Sequence, residues 1–305
     1  MLQAKRSTIA LYLMPTFIGI MFINLFPILY TVYISFTNQS LYHYDDYHFV
    51  GFKNYWDALT NLTGDFYYVL GLTFLYVIVC VALFVVVGMA TALALNNKKV
   101  KGLSFWRLLL ILPWTVPSAI TALIWLFLFG ETFGPINQIL RVFFGPQAGI
   151  DWLTSPVGAF TAVVLVNVWL SYPFFTIVIL GALQSIPSEL HESAQVDGAS
   201  TWDRFRYVTL PLLRPAIAPA IILSSITTFQ MFNTVKLITN GGPVTSALRP
   251  GTTSFVMIYI YDQLFVNTAG NPQYGSIGAV SVLIFILLFL MTLVSLRVTN
   301  LAKES

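Results

Sequence analysis

Residues 189–211 read ELHESAQVDGASTWDRFRYVTLP and form a charged island between two apolar stretches. A single Asp, Lys or Arg at the centre of a bilayer costs about 2.5–3.5 kcal/mol on insertion scales, so this segment must lie in water. A short water-side loop in an otherwise membrane-embedded chain offers a soluble partner a place to bind. The charges are Glu189, Glu192, Asp197, Asp203, Arg204 and Arg206.

The rest of the chain has the composition of a membrane protein. Of its 305 residues, 57% are hydrophobic and 9% are charged, whereas a soluble domain carries about 25% charged residues. The single cysteine, Cys80, cannot form an internal disulfide, and we interpret it as a small buried apolar residue. The predicted fold class is therefore an all-α membrane protein.

Six apolar stretches are long enough to cross a bilayer, which takes about 20 residues. The first follows Lys5 and Arg6, but it is too long for a signal peptide and no cleavage site follows it, so we predict a retained span. We predict one transmembrane domain over 1–305 with a cytoplasmic loop at 186–211. The spans are predicted near 9–35, 67–95, 104–129, 157–183, 212–233 and 275–296.

The distribution of basic residues predicts the orientation of the chain. With both termini in the cytoplasm, eleven of the fifteen Lys and Arg residues lie inside, as the positive-inside rule requires. The net charge of +3 then reflects membrane topology and is no argument for nucleic-acid binding. The four outside are Lys53, Arg141, Lys236 and Arg249.

Prolines and turn residues predict where regular helices are interrupted. Pro113 and Pro117 lie in the third predicted span, next to Ser118, and we expect kinks and a hydroxyl at the same depth. The external segment 234–274 is rich in Gly, Pro and Asn, which predicts an irregular loop. The cluster of His, Asp and Tyr at 42–48 fits no standard metal spacing, and we predict no metal site.

The charged island also carries helix signals. Ser188 is a candidate N-cap, and Gly198 is a candidate left-handed C-terminal stop. Thr201 is a candidate cap for a second short helix with Asp203 in its first turn, and Pro211 is expected to end it. Two short helices at an angle would make a rigid loop. Such a loop either transmits force from a partner or packs on its own bundle.

The same island resembles the signature loop of bacterial ABC importer permeases. That family's pattern is E-A-A-x-x-x-G, nine residues, then I-x-L-P, and this chain departs from it only at Ser193 and Val208. Further motifs along the chain resemble the carbohydrate branch, in particular the larger membrane subunit of maltose/maltodextrin-type importers. These are LPWTVPS at 112–118, FGPIN at 133–137, WLSYP at 169–173, FN at 232–233 and TNGGP at 239–243.

The resemblance implies a six-helix type I ABC importer permease fold and a set of partners. These are a second homologous permease, an ABC ATPase dimer that holds ATP-Mg, an extracytoplasmic sugar-binding protein and the bilayer of the bacterial cytoplasmic membrane. The chain itself would be non-catalytic and would hold no cofactor. The residues that it implies for coupling to the ATPase are Glu192, Ser193, Ala194, Asp197, Gly198, Leu210 and Pro211.

A sugar site needs flat aromatic faces and hydrogen-bonding groups. Such groups gather beside prolines in the third, fourth and fifth predicted spans, where Thr121 and Asn167 are among the candidates. For any one of these residues, interhelical packing is the alternative role. The resemblance narrows the substrate pathway to Trp114, Ser118, Leu170, Ser171, Phe174, Ser224, Thr228 and Met231.

Three alternatives stay open at this point. A self-contained carrier would need an ion-coupling charge near mid-bilayer, and the predicted spans hold none. A membrane-embedded enzyme would need paired carboxylates or histidines at membrane depth. A permease for glycerol phosphate would need cationic groups in the cavity. The chain also has no G-x-x-x-x-G-K-[ST] phosphate loop, so its energy must come from a partner.

Overall fold

A computed structural model describes residues 6–61, 64–97, 99–246, 249–266 and 271–304. Within these ranges the regular structure is helical, and the only β-type pairing is an isolated bridge between Thr37 and Phe49. The predicted all-α class is confirmed. The helices are α1 (Arg6–Ile20), α2 (Phe26–Ile34), α3 (Lys53–Thr60), α4 (Asp65–Asn96), α5 (Leu103–Thr115), α6 (Ser118–Leu128), α7 (Pro135–Phe144), α8 (Pro156–Gln184), α9 (Ser188–Val196), α10 (Thr201–Arg204), α11 (Leu210–Phe229), α12 (Asn233–Thr239), α13 (Val256–Tyr261) and α14 (Tyr274–Glu304).

Three π-helical turns, Met21–Leu25, Phe205–Thr209 and Asp262–Val266, extend neighbouring helices. Five continuous helical stretches are long and apolar enough to cross a membrane, and a bent helix pair makes up to six. Each overlaps one of the six predicted spans, while the domain limits stay a prediction. The continuous stretches are Leu11–Ile34, Asp65–Asn96, Pro156–Gln184, Thr201–Phe229 and Tyr274–Val294.

The third predicted span is broken between α5 and α6, whose axes differ by 95°. Val116 has extended dihedral angles (φ −83°, ψ 131°) because the ring of Pro117 disfavours a helical conformation in the residue before it. Pro117 also has no N–H to continue the helix. The break exposes backbone carbonyls, which a membrane protein tolerates where neighbouring helices or a water-filled cavity satisfy them.

The chain divides into two compact units, of which the smaller comprises Met1–Phe66 and Ile260–Leu287. Its centre is the buried amide of Asn54. The amide Nδ2 donates to the carbonyls of Ser35 (2.9 Å) and Thr37 (2.8 Å), and Ser276 Oγ donates to its Oδ1 (3.3 Å). One side chain therefore joins the end of α2, α3 and the start of α14.

The larger unit, Tyr67–Tyr259 with Leu288–Ser305, is organised around α8. Helices α5, α6, α11 and α12 all pack against α8, and α12 packs most extensively against α6. Tyr76 of α4 stacks on Phe255 (4.3 Å between ring centroids), and both rings lie edge-on to Phe160 of α8. This aromatic cluster and the faces of α8 form the core of the unit.

The prediction of an irregular loop over 234–274 is wrong in part. Helix α12 lies at its start and α13 follows, with Phe255, Val256 and Ile258 almost fully buried. The backbone N–H of Val256 donates to Thr73 Oγ1 of α4 (3.0 Å). The turn residues are concentrated in 240–251, and the apolar run after them forms a helix because it has a core to pack against.

Candidate functional site

Helix α9 of the charged island ends in the left-handed turn that the sequence predicts. Gly198 has a φ of +83°. Its N–H donates to the Gln195 carbonyl (3.1 Å), and the N–H of Ala199 donates to the Ala194 carbonyl (2.9 Å). These two bonds form a Schellman motif, which satisfies the last carbonyls of α9 and redirects the chain sharply. The predicted role of Gly198 in the turn is confirmed.

The predicted N-caps are each wrong by one residue. Helix α9 begins at Ser188 with extended Pro187 in the cap position and no side-chain cap. Helix α10 is capped by Ser200, whose Oγ accepts from Asp203 N (3.2 Å), while Ser200 N donates to Asp203 Oδ2 (3.1 Å). The cap is Ser200 and not Thr201, because Asp203 lies three residues after Ser200, which is the spacing that the reciprocal bonds of a capping box require.

Pro211 does not end the second helix as predicted. The π-turn Phe205–Thr209 joins α10 to α11, and the helix runs continuously over Thr201–Phe229. In the π-turn the N–H of Leu210 donates to the Phe205 carbonyl, one residue further back than in an α-helix. The altered register accommodates Pro211, whose ring would otherwise meet the carbonyl of Tyr207. The water-side helix is therefore an extension of a membrane span.

Arg204 links the two short helices of the island. Its Nη1 donates to Gln195 Oε1 on α9 (3.2 Å), and its Nη2 donates to Thr201 Oγ1 (3.3 Å). Trp202 stacks on Phe205 (5.6 Å between centroids), yet 65% of Trp202 is exposed. A cavity of about 720 Å³ opens beside these rings. The island is thus internally braced and presents an exposed aromatic surface.

The capping box gives the island a pH dependence. Hydrogen bonds from the Ser200 side chain and backbone, with a smaller effect from the Arg206 charge, lower the pKa of Asp203 below its ordinary value of 3.8. The box is therefore fully stabilising above pH 3.8 and is lost as the pH falls through the lowered pKa.

We expect Asp203→Ala to accelerate amide exchange at 200–204 at neutral pH and to have no effect once Asp203 is protonated. Asp197→Ala, which removes the same charge outside the box, should leave these amides protected; equal acceleration by both variants would contradict the assignment.

Two predicted substrate-pathway residues flank the break between α5 and α6, and one of them approaches a third on α8. The ring of Trp114, near the end of α5, lies 6.3 Å from the ring of Phe174 on α8. Trp114 is 56% exposed, so the chain itself covers less than half of this side chain. Ser118 is the first residue of α6, immediately after the break. An aromatic pair therefore lies on one side of the break, and a hydroxyl four residues further along the chain lies on the other.

The remaining predicted pathway residues lie on α8 and near α11. Leu170 is buried, and Ser171 donates to Asn167 Oδ1 (3.3 Å) on the same helix. Ser224 and Thr228 are buried one turn apart on α11, which packs against α8. Met231 lies beyond the end of α11, and its N–H donates to the Thr228 carbonyl (3.1 Å). Met231 therefore does not share the helical face of the other two.

Three further buried polar residues lie near this region: Thr121 and Asn167, which were candidates from the sequence, and Thr234, which was not. Thr121 Oγ1 and Thr234 Oγ1 are buried and have no hydrogen-bond partner within the described part of the chain, while the buried amide of Asn167 faces Tyr76 and Cys80 of α4. The three residues lie on α6, α8 and α12, which pack against one another. Buried polar groups are nearly always paired, so Thr121 and Thr234 are candidates to bind water or ligand hydroxyls. Thr121 and Asn167 were visible as polar residues at membrane depth; Thr234 carried no such signal.

A helical membrane protein with a braced water-side loop and a broken polar span has the architecture of a transport permease. The chain belongs to the family of binding-protein-dependent transport system inner membrane components, whose profile matches residues 84–304. The predicted family and the multi-pass membrane location are confirmed.

Relatives match almost the whole chain. It is 32% identical to the maltodextrin transport system permease protein MdxF of Bacillus subtilis, over 95% of this chain and 68% of that protein. It is 33% identical to the galactooligosaccharides transport system permease protein GanP of Bacillus subtilis, over 95% and 69%. It is 31% identical to the trehalose/maltose transport system permease protein MalF of Thermococcus litoralis, over 96% and 94%.

The fold matches a solved importer. A chain in the crystal structure of a bacterial alginate ABC transporter, in complex with alginate pentasaccharide-bound periplasmic protein, superposes with a TM-score of 0.74. The match covers 96% of this chain and 95% of that chain at 20% identity. This likeness concerns the fold, and it confirms the predicted importer permease fold.

Proposed function

We propose that this chain is the transmembrane permease subunit of an ATP-driven oligosaccharide importer in the bacterial cytoplasmic membrane. It forms half of the translocation pathway beside a second homologous permease, with both termini in the cytoplasm. The observation that carries the proposal is the continuous helix Thr201–Phe229, which joins the exposed island to the wall of the polar region. The named substrates of the relatives, which are maltodextrin, galactooligosaccharides and trehalose/maltose, support a sugar.

The energy comes from a partner ABC ATPase dimer that holds ATP-Mg. The segment Glu192–Gly198 docks on that ATPase, and closure of the dimer pushes the island as one body. Because Arg204 braces α9 against α10, and α10 continues into α11, the push is delivered to Ser224 and Thr228. Rigid-body motion of this kind is a common switching device. An extracytoplasmic sugar-binding protein delivers the substrate.

The substrate is a neutral sugar. Trp114 and Phe174 offer aromatic faces to the C–H side of a sugar ring, and Thr121 and Thr234 offer polar groups to its hydroxyls. None of the eight predicted pathway residues is charged. A glycerol phosphate would need arginine or lysine there to balance its charge.

The test is sugar-stimulated ATP hydrolysis by the reconstituted importer. With the binding protein present, we expect neutral oligosaccharides to raise the rate and glycerol phosphate to leave it unchanged. Trp114→Ala should lower the sugar-stimulated rate of ATP hydrolysis at saturating sugar about tenfold, since a lost aromatic contact costs about 1.4 kcal/mol. Trp106→Ala is the matched control, because Trp106 is a half-exposed tryptophan on the same helix.

Two results would contradict the proposal. Sugar uptake by the purified chain alone, without ATP, would identify a self-contained carrier. Stimulation by glycerol phosphate but by no neutral sugar would show that the proposed substrate class, a neutral sugar, is wrong. Equal effects of the two tryptophan substitutions would remove Trp114 from the pathway while leaving the transport function intact.

A further inference from the structure

In helix α7 the polar side faces the protein and the apolar side faces outward, which is the reverse of a soluble amphipathic helix. Asn137 on its polar side is 1% exposed. Its Oδ1 accepts from the N–H of Ile150 (3.1 Å) and from Nε1 of Trp152 (3.0 Å), and its Nδ2 donates to the Glu131 carbonyl (3.2 Å). The polar side of α7 is therefore bound to the protein and not to water.

The charged residue of α7 is held in the same way. Arg141 Nη2 donates to the Glu131 carbonyl (2.9 Å), and its Nη1 donates to the Thr132 carbonyl (3.2 Å). Arg141 lies one turn after Asn137, on the same side of the helix. Both residues thus fix the rotation of α7 about its axis.

The apolar side of α7 faces outward as a consequence. Ile139, Val142 and Phe143 follow the i, i+3, i+4 spacing of one helical face. Val142 is 80% exposed and Phe143 is 77% exposed. In water such a patch of large apolar side chains would be unfavourable, and a soluble helix would present its polar side instead.

The position of α7 in the chain places it at the surface of the membrane. It lies between the end of α6 at Leu128 and the start of α8 at Pro156, and α8 is a continuous helix long enough to span. With its 10 residues α7 is too short to cross. A helix at this boundary, with aromatic and aliphatic side chains outward, matches the geometry of an interfacial membrane helix.

We propose that α7 is an interfacial anchor whose face Ile139, Val142 and Phe143 is inserted among lipid headgroups and the first acyl carbons. The occupant is lipid and not a soluble protein, because the face carries no charge and a partner that binds and leaves needs a more polar surface. Trp152, which is bonded to Asn137, also packs on Phe129 next to the end of α6 (5.0 Å). The anchor therefore fixes the end of the half-helix that begins at Ser118. This inference does not depend on which substrate is carried.

The test uses spin labels on the full chain, purified with its accompanying subunits and reconstituted in vesicles of phosphatidylethanolamine and phosphatidylglycerol. Cysteines replace Ile139 and Phe143 in separate variants, and Asp45→Cys, at an exposed charged position of the loop before α3, is the water-exposed control. Native Cys80 is buried. Wild type treated with the same spin label checks that Cys80 does not react. We expect oxygen to relax the labels at 139 and 143 more strongly than a water-soluble nickel complex does, and the reverse at 45.

Each outcome decides the question. Stronger relaxation by nickel at 139 and 143 would mean that the face lies in water, which overturns the anchor. Protection from both reagents would mean that protein covers the face, which also overturns it. If one variant does not fold, the other label on the same face gives the same reading, since both positions must enter lipid together.

Discussion

Replacing Gly198 with aspartate is expected to abolish binding of the partner ATPase while the permease stays folded in the membrane. Gly198 adopts a φ of +83°, and an added Cβ would meet no heavy atom within 4 Å. Aspartate tolerates this left-handed conformation better than most residues, so the cost to folding is about 1 kcal/mol. A new side chain and charge at the centre of a docked turn would cost about 2–4 kcal/mol of binding, or 30- to 1,000-fold in affinity.

The measurement is co-purification of the ATPase with the tagged permease, together with ATP-dependent sugar uptake. Gly102→Asp is the matched control, because Gly102 also has a positive φ (+72°) and open space around it but lies outside the island. The control should retain the ATPase and transport. Normal recovery of the ATPase with Gly198→Asp would exclude the island as the coupling surface.

The structure of the island was predictable from sequence where a position admits few residue types. A left-handed turn at the end of a helix is usually occupied by glycine. Gly198 alone therefore indicates where α9 ends. The identity of the second cap was harder, because Ser200 and Thr201 are both good N-caps. Ser200 is the cap because it forms the reciprocal hydrogen bonds with Asp203. Those bonds form only if Asp203 is the third residue of the helix.

The continuity of α10 with α11 could not be predicted from local rules. Proline is expected to interrupt a helix, and Pro211 would do so in regular α-geometry. The π-turn at Phe205–Thr209 removes the conflict by shifting the hydrogen-bond register. Such a turn has no reliable sequence signature, yet it converts a separate loop helix into the end of a membrane span.

For the substrate region, the sequence predicted where the helix would be interrupted, but not which side chains would be in contact. The pair Pro113 and Pro117 predicted kinks, and the structure has a 95° break there. The approach of Trp114 to Phe174, which are far apart in sequence, depends on how α5 packs against α8. Because lipid is as apolar as the side chains, hydropathy identifies spans but says nothing about which faces meet.

The close approach of α4 to α8 predicts the largest effect on stability. A Cβ at Gly88 would lie 2.5 Å from Phe175 Cβ and 3.1 Å from the Phe175 carbonyl carbon. These atoms belong to or adjoin the backbone of α8 and cannot rotate away. We expect Gly88→Leu to force the helices apart and to break the bond between Thr91 Oγ1 and Thr176 Oγ1 (2.6 Å). Overpacking costs about 1–3 kcal/mol or more, which corresponds to a Tm lower by about 5 °C or more.

Gly71→Leu is the matched control on the same helix. It introduces the same side chain at a position where packing does not restrict it. Gly71 has no heavy atom within 4 Å of an added Cβ, and leucine gains about 0.8–1 kcal/mol over glycine in helix propensity. The two variants have the same composition and nearly the same hydropathy along α4, so membrane insertion should be alike. In thermal unfolding of the purified variants in detergent, the Tm of Gly88→Leu should therefore lie below that of wild type, and the Tm of Gly71→Leu should not. Equal Tm values would mean that α4 and α8 are not held at the distance that Gly88 permits.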